Sequence, residues 1–249
     1  MSTRAAAPQG FTDGRVDVRT ASSPLDSASP PTPALADRGG LSLADYATKT
    51  LRDRLIVLDI PPGTPLNDEQ IGRELGIGRT PVREALKRLE SEHLVAVYPR
   101  RGTFASSVDI TDLAEIAEIR AQLEPLAASR AAMHASAHAR EAMRALADTL
   151  DDGDLSRDTP ATLMRYDLEV HRSIYAANGN AHLEEVLVTY DNLATRIWCM
   201  VIDRLPDVSS HIAEHVALLR SIAAGDAELA GAIAHEHVNS FEALVRSVL

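Results

Sequence analysis

The sequence has a single cysteine, Cys199, which can close no intramolecular disulfide and cannot build a thiolate zinc site, so the chain fits a reducing compartment. Aromatic residues are also scarce, at 4%. Together with alanine-rich, leucine-periodic stretches this disfavours an all-β sandwich and favours helices. No run of about 18 uninterrupted apolar residues occurs, so no membrane-spanning helix is expected. The opening MSTRAAAPQGFTDGR lacks the apolar run of a secretory signal, and a cytoplasmic protein is expected. What the chain has is length: 249 residues suffice for one large domain or two modest ones, with a real core.

Net charge is −11, which as an average argues against nucleic acid. The average hides a partition. Residues 1–40 sum to zero, residues 41–106 to +1, and everything beyond to −12. Within the middle segment, residues 70–106 carry a local +3 that a phosphate backbone could use.

Residues 1–40 hold five of the thirteen prolines and no periodic apolar face, and read as a disordered tail. A helical pattern then runs through Leu43, Ala47, Leu51, Leu55 and Leu58 and should stop at Ile60-Pro61. Asn67 is a good N-cap for a short second helix with Gln70 at the capping-box position, and Gly76 can close it. Thr80-Pro81, read as N-cap and first helical residue, opens a third helix. Val82, Leu86 and Leu89 share one of its faces, while Arg79, Thr80, Arg83 and Lys87 lie on the other. Two short strands, 94–98 and 103–105, are joined by a basic tip, Pro99-Arg100-Arg101-Gly102. This order is that of a winged helix-turn-helix, residues 41–107, whose basic helix suits the major groove and whose tip suits the minor groove or its phosphates. A merely solvated basic helix face would show the same spacing. From residue 108 to 249, six helical stretches (110–133, 138–150, 160–177, 181–204, 208–223 and 226–247) suggest an antiparallel bundle, with Pro206 at one of the breaks and Pro125 inside the first stretch. The expected fold is thus mainly α: an N-terminal winged helix-turn-helix with a small β wing, followed by a C-terminal six-helix bundle.

The run PPGTPLNDEQIGRELGIGRTPVREALKRLESEHLVAVYPRRGTF resembles the DNA-binding domain of GntR-family bacterial transcription regulators, with the preceding helix included. The resemblance implies that Arg79, Thr80 and Arg83 touch bases and phosphates and that Gly102 lies at the wing tip. Two positions depart from the pattern: Gly78 replaces the usual hydroxyl residue, and Glu69 stands where some members place a DNA-contacting arginine.

Eight of the nine histidines lie beyond residue 130. On the last helix His237 falls on the apolar stripe and His235 does not; on the fifth, His215 is central and His211 is at the border. Asp167 and His171 are four residues apart and share a face of the third helix. One Asp and three His directed into a core need partners, and a divalent transition metal would satisfy all four, with zinc, nickel, manganese and iron all suited to nitrogen and oxygen donors. Hydrogen-bonded core histidines and a simple Asp–His pair are the alternatives. Arg120 also interrupts an apolar stripe and needs an anion. The anion could be a carboxylate effector that also reaches the metal, or an internal partner such as Glu124 or Asp167. Arg196 is a weaker candidate of the same kind.

The segments Asp167-Leu-Glu-Val-His171, Glu-His215-Val-Ala-Leu-Leu and Glu-His237 resemble the ligand-binding domain of the FadR subfamily of GntR regulators, in its shorter, VanR-type six-helix version. That resemblance implies that Asp167, His171, His215 and His237 are metal ligands. The expected protein is not an enzyme but a ligand-responsive regulator, read as a repressor. It would bind a palindromic operator as a homodimer and respond to a small carboxylate or sugar acid. Competing readings are a metal-dependent hydrolase and a ligand-free dimerisation module on a DNA-binding head.

Overall fold

The computed structural model describes residues 38–205 and 208–249. Residues 1–37, most of the expected tail, and the break at Pro206 lie outside the described residues.

The first helix, α1 (Leu43–Ile56), is capped by Ser42, whose side chain accepts from the Asp45 N–H. It ends a turn earlier than the apolar pattern suggests. Leu58 takes a left-handed φ of 59°, and the Ile60 N–H closes back onto the Arg54 carbonyl at 3.0 Å, so the chain has turned before Pro61 can act. In α2 (Asp68–Leu75) Asn67 caps as expected, accepting from Glu69 and Gln70, while the Gln70 side chain donates forward to Glu74 rather than completing a capping box. Gly76 takes the left-handed conformation at the turn. A Cβ at Gly72 would lie 2.8 Å from the Ile77 carbonyl, so the bare backbone there lets the turn fold back onto α2. The next helix, α3 (Arg79–Ser91), begins two residues before the expected start, with Gly78 as N-cap and no side-chain cap bond. Thr80 is therefore inside the helix. Pro81 is tolerated there because the first N–H groups of a helix have no intrahelical partner.

Strands β1 (Val95–Tyr98) and β2 (Gly102–Ala105) pair antiparallel, with Tyr98 opposite Gly102. The wing tip is accordingly Pro99-Arg100-Arg101, with Arg100 at φ 63°. Gly102, expected in the tip, is the first residue of β2. Leu51, Leu55, Val82, Leu86, Leu89 and Leu94 make the core of this head.

After a 3-10 turn at Ile110–Asp112, capped by Asp109, come α4 (Leu113–His134), α5 (Ala137–Asp152), α6 (Pro160–Ala177), α7 (Ala181–Val201), α8 (Val208–Ala224) and α9 (Ala227–Arg246). Every helix end falls within three residues of its expected place. Ser136, Thr159, Asn180 and Asp226 cap four of these helices. Helix α4 continues through Pro125. The proline has no N–H for the Ala121 carbonyl, and His235 on α9 approaches that carbonyl instead, Nδ1 at 3.4 Å. The bundle has its own apolar core, including Ala127, Ala131, Val170, Leu187, Ile212, Leu219 and Ala234. Among the described residues no helix is long and apolar enough to cross a membrane.

Candidate functional site

Two constellations stand out, one on the head and one in the bundle. On the head, Arg79, Thr80, Arg83 and Lys87 are all exposed along α3, and Arg100, Arg101 and Gly102 are exposed on the wing. Leu66, Arg83, Lys87, Val97 and Thr103 line the groove between helix and wing. One residue missed by sequence reasoning organises this face: Asp68, at the start of α2, pairs with Arg79 at 3.2 Å and with the Arg83 Nε. Both arginines hold Asp68 below the usual carboxylate range despite its partial desolvation. Glu69 pairs with Arg73 one turn on, at 3.0 Å.

In the bundle, Asp167, His171, His215 and His237 converge, all buried, from α6, α8 and α9. The His171 Nε2, His215 Nε2 and Asp167 Oδ1 form a triangle with sides of 3.4, 3.7 and 3.6 Å. Each imidazole has an acceptor at its other nitrogen. The His215 Nδ1 faces the Ile212 carbonyl at 3.1 Å, the His171 Nδ1 faces the Tyr175 hydroxyl at 3.2 Å and Glu124 at 3.4 Å, and the His237 Nδ1 faces Glu214 at 3.1 Å. Those partners place the ring protons on Nδ1 and leave lone pairs on Nε2. Lone pairs and a carboxylate oxygen thus face one another, and Asp167 Oδ1 is buried without a hydrogen-bond partner. Burial and the neighbouring Asp191 push the Asp167 carboxyl well up, whereas burial pushes all three imidazoles down, keeping them neutral. A divalent cation fits such a set, since atoms bound to one ion at about 2.0–2.2 Å lie about 3 to 3.5 Å apart.

Arg120 lies beside this triangle, buried, with its Nε on Glu124 at 2.5 Å, an Nη 3.6 Å from Asp191 and the Phe241 ring 5.4 Å from its Cζ. Burial works against its charge, but Glu124, Tyr175, Asp191 and Asp167 outweigh that and hold the guanidinium above its ordinary range. Of the two internal partners weighed from sequence, Glu124 makes the pair; the second neighbouring carboxylate is Asp191 rather than Asp167. Glu124 also accepts from the Tyr175 hydroxyl at 2.9 Å, so one carboxylate joins Arg120, Tyr175 and His171. Arg120, Asp167, His171, Thr195, Trp198, His211, His237 and Phe241 surround a closed gap too tight to hold a water molecule.

His211, placed at the stripe border from sequence, is in fact buried here, stacked on His237 at 4.2 Å between ring centroids and against Trp198 at 4.5 Å. Arg196 is not brought to the cluster. One residue past Thr195, it turns toward the link between head and bundle, donating to the Ser106 hydroxyl at 2.6 Å and the Ser106 carbonyl at 2.7 Å. Asp191, Asn192 and Thr195 on α7 went unread, although Asp191 interrupts the stripe of Leu183, Leu187 and Ala194 as Arg120 interrupts its own.

Comparison with known proteins covers both parts of the chain. Residues 43–105 match the bacterial regulatory proteins of the gntR family, and residues 115–240 match the FCD domain. An uncharacterized HTH-type transcriptional regulator from Agrobacterium vitis is 33% identical over 129 residues, 49% of this chain and 74% of that protein. A probable D-xylose utilization operon transcriptional repressor from Paenarthrobacter nicotinovorans is 28% identical over 73% of this chain and 79% of its own. The E. coli protein McbR/YncC shares the fold with a TM-score of 0.72 at 22% identity, over 83% of this chain and 98% of that one. These relatives are regulators, and the hydrolase reading is set aside. A helix-turn-helix head of one family joined to a helical domain of the other, in that order, places the chain in the GntR family of bacterial regulatory proteins: it is a DNA-binding transcription regulator with an FCD domain.

Proposed function

We propose that the bundle binds one divalent transition metal through Asp167, His171, His215 and His237, and beside it a small carboxylate or sugar acid that alters operator binding. The triangle around the partnerless Asp167 oxygen carries this reading, because one divalent ion at its centre would bond all of these atoms at once, whereas a proton on Asp167 could satisfy a single ring nitrogen. A bound ion would supply positive charge and open coordination positions. Arg120 supplies the second anchor: its Nη–Asp191 separation of 3.6 Å is too long for a hydrogen bond, so an incoming carboxylate can take those donors while Glu124 keeps the Nε. Thr195, Trp198 and Phe241 bound the gap beside it, which is closed in this conformation, so these side chains must part to admit even a small acid.

In this reading the protein is a homodimer on a palindromic operator. One head, presenting Arg79, Thr80, Arg83 and Lys87 to bases and phosphates and Arg100, Arg101 and Gly102 from the wing, contacts too few base pairs for genomic specificity. Repression is the sign favoured by the relative named as a repressor. The test is native mass spectrometry of protein purified without chelator, followed by a thermal-shift screen of organic acids and operator titration with each hit. One ion per protomer and stabilisation by acids but not by their amides are expected. A metal-free wild type that His215→Ala does not alter would overturn the metal, and hits confined to uncharged compounds would overturn the acid.

A further inference from the structure

The proposed ligands are sealed: Asp167, His171, His215 and His237 are exposed by 4, 1, 0 and 4%. An ion must nevertheless reach them. The group that touches a ligand and also meets solvent is Glu214, whose side chain is 45% exposed. Its Oε2 lies 3.1 Å from the His237 Nδ1 and 3.5 Å from the His211 Nδ1, and the two rings stack with an interplanar angle of 25°. The Ser240 hydroxyl steadies the same oxygen at 3.2 Å. Atoms that share an ion at about 2.0–2.2 Å sit about 3 to 3.5 Å apart, so both nitrogen–carboxylate separations suit a two-histidine, one-carboxylate site once the stacked rings tilt toward a common ion.

Resting on the metal reading above, we infer that His211, Glu214 and His237 form an outer loading site through which the divalent ion enters the buried one. His237 belongs to both sets. A neutral imidazole has one in-plane lone pair, so it serves the outer position through Nδ1 or the inner through the other nitrogen, not both. The sites therefore alternate, and one protomer holds one ion. As the ion moves inward, a proton leaves the inner ring nitrogen and one arrives at Nδ1, where Glu214 accepts it as a hydrogen bond. The carboxylate that received the ion then orients the ligand that keeps it. Asp167 draws the ion onward with its partnerless oxygen.

The test is stopped-flow loading of chelator-stripped full-length protein with zinc against a fluorescent zinc indicator, with release followed after adding excess chelator. Wild type is compared with Glu214→Gln, His211→Gln and, as inner-site control, His215→Ala, each checked for folding by circular dichroism. Glu214→Gln and His211→Gln should load about tenfold more slowly yet reach one zinc per protomer at saturating zinc, with Glu214→Gln also holding it more weakly because His237 loses its orienting carboxylate, while His215→Ala should lose the ion. Wild-type rates in both outer variants would overturn the loading site. Loss of zinc from them to the extent seen in His215→Ala would make them part of the inner site instead, and two zinc ions per wild-type protomer would overturn the alternation. Absence of zinc from wild type would sink the metal reading itself, a distinguishable result.

Discussion

Arg196, buried on α7 of the bundle, holds Ser106, the first residue beyond the wing, by its hydroxyl and its carbonyl. Ser106 in turn donates its hydroxyl to the His93 carbonyl and its N–H to the Leu94 carbonyl, between α3 and β1. Thr195, the preceding residue on α7, borders the closed gap beside the histidine cluster. A shift of α7 therefore reaches the base of the wing in two hydrogen-bonded steps. Arg196→Met should leave metal and acid binding intact while the change in operator affinity on adding acid, typically about 5- to 150-fold in coupled systems, falls toward unity. Ser106→Ala, which leaves the carbonyl, should fall between. Operator titration with and without acid, alongside thermal shift, reads both; an undiminished response in Arg196→Met refutes the coupling.

Arg120 and Glu124 are both buried and carry opposite charges. Arg120→Met leaves Glu124 without its cation and Asp191 with Arg172 alone at 3.6 Å, and should cost about 3 to 5 kcal/mol, whereas Arg120→Met with Glu124→Gln removes both charges of the pair and should recover most of that. Urea unfolding of the two variants decides. Equal losses would mean that the pair is not the dominant interaction of either residue.

Acid should destabilise the metal-free protein. Burial pushes His211 down to about 2, with His171, His215 and His237 also well below the ordinary histidine value. The unfolded chain takes these protons below about pH 6.5 and the folded chain does not, so stability falls as pH drops through that point, by about 1.4 kcal/mol per unit for each histidine. Asp167 and Asp191 oppose this, because burial raises their folded values, that of Asp191 to about 6, and they take protons in the folded state. Four imidazoles outnumber these two carboxyls, so the balance among them is a net uptake of protons on unfolding. Urea midpoints at pH 7.5 and 5.5 in excess chelator should show it, and His211→Phe should shrink the slope.

On DNA, Arg83→Ala should cost about 1 to 3 kcal/mol on the operator and far less on random sequence. Arg101→Ala, at the exposed wing tip, should weaken binding to both and lower the salt slope by about one. Equal losses on both DNAs for Arg83→Ala would make it a phosphate contact.

Helices α4 to α9 were legible because apolar periodicity and cap residues act locally: Asn180 and Asp226 announce their helices without help from the rest of the chain. The same stripe logic placed His237 and His215 inward. It left His211 at the border, because such a residue is buried or exposed according to its neighbour, here Trp198. It sent Arg196 to the wrong partner because a helical wheel shows which way a side chain leaves its helix and not what stands opposite. The early end of α1 depends on Leu58 adopting a left-handed backbone, which no propensity favours.

Asp68 gives the head a property that its basic residues alone would lack. An exposed arginine clings to any polyanion, and a cell offers nucleic acid in great excess over operators. Here the two arginines that open the recognition helix already have a carboxylate between them. Random phosphate must compete with that anion and gains little by replacing it, whereas paired acceptors on a base edge offer something a single carboxylate does not. If these arginines meet DNA as proposed, the head's indifference to the bulk of the chromosome would come as much from an anion it carries as from the cations it presents.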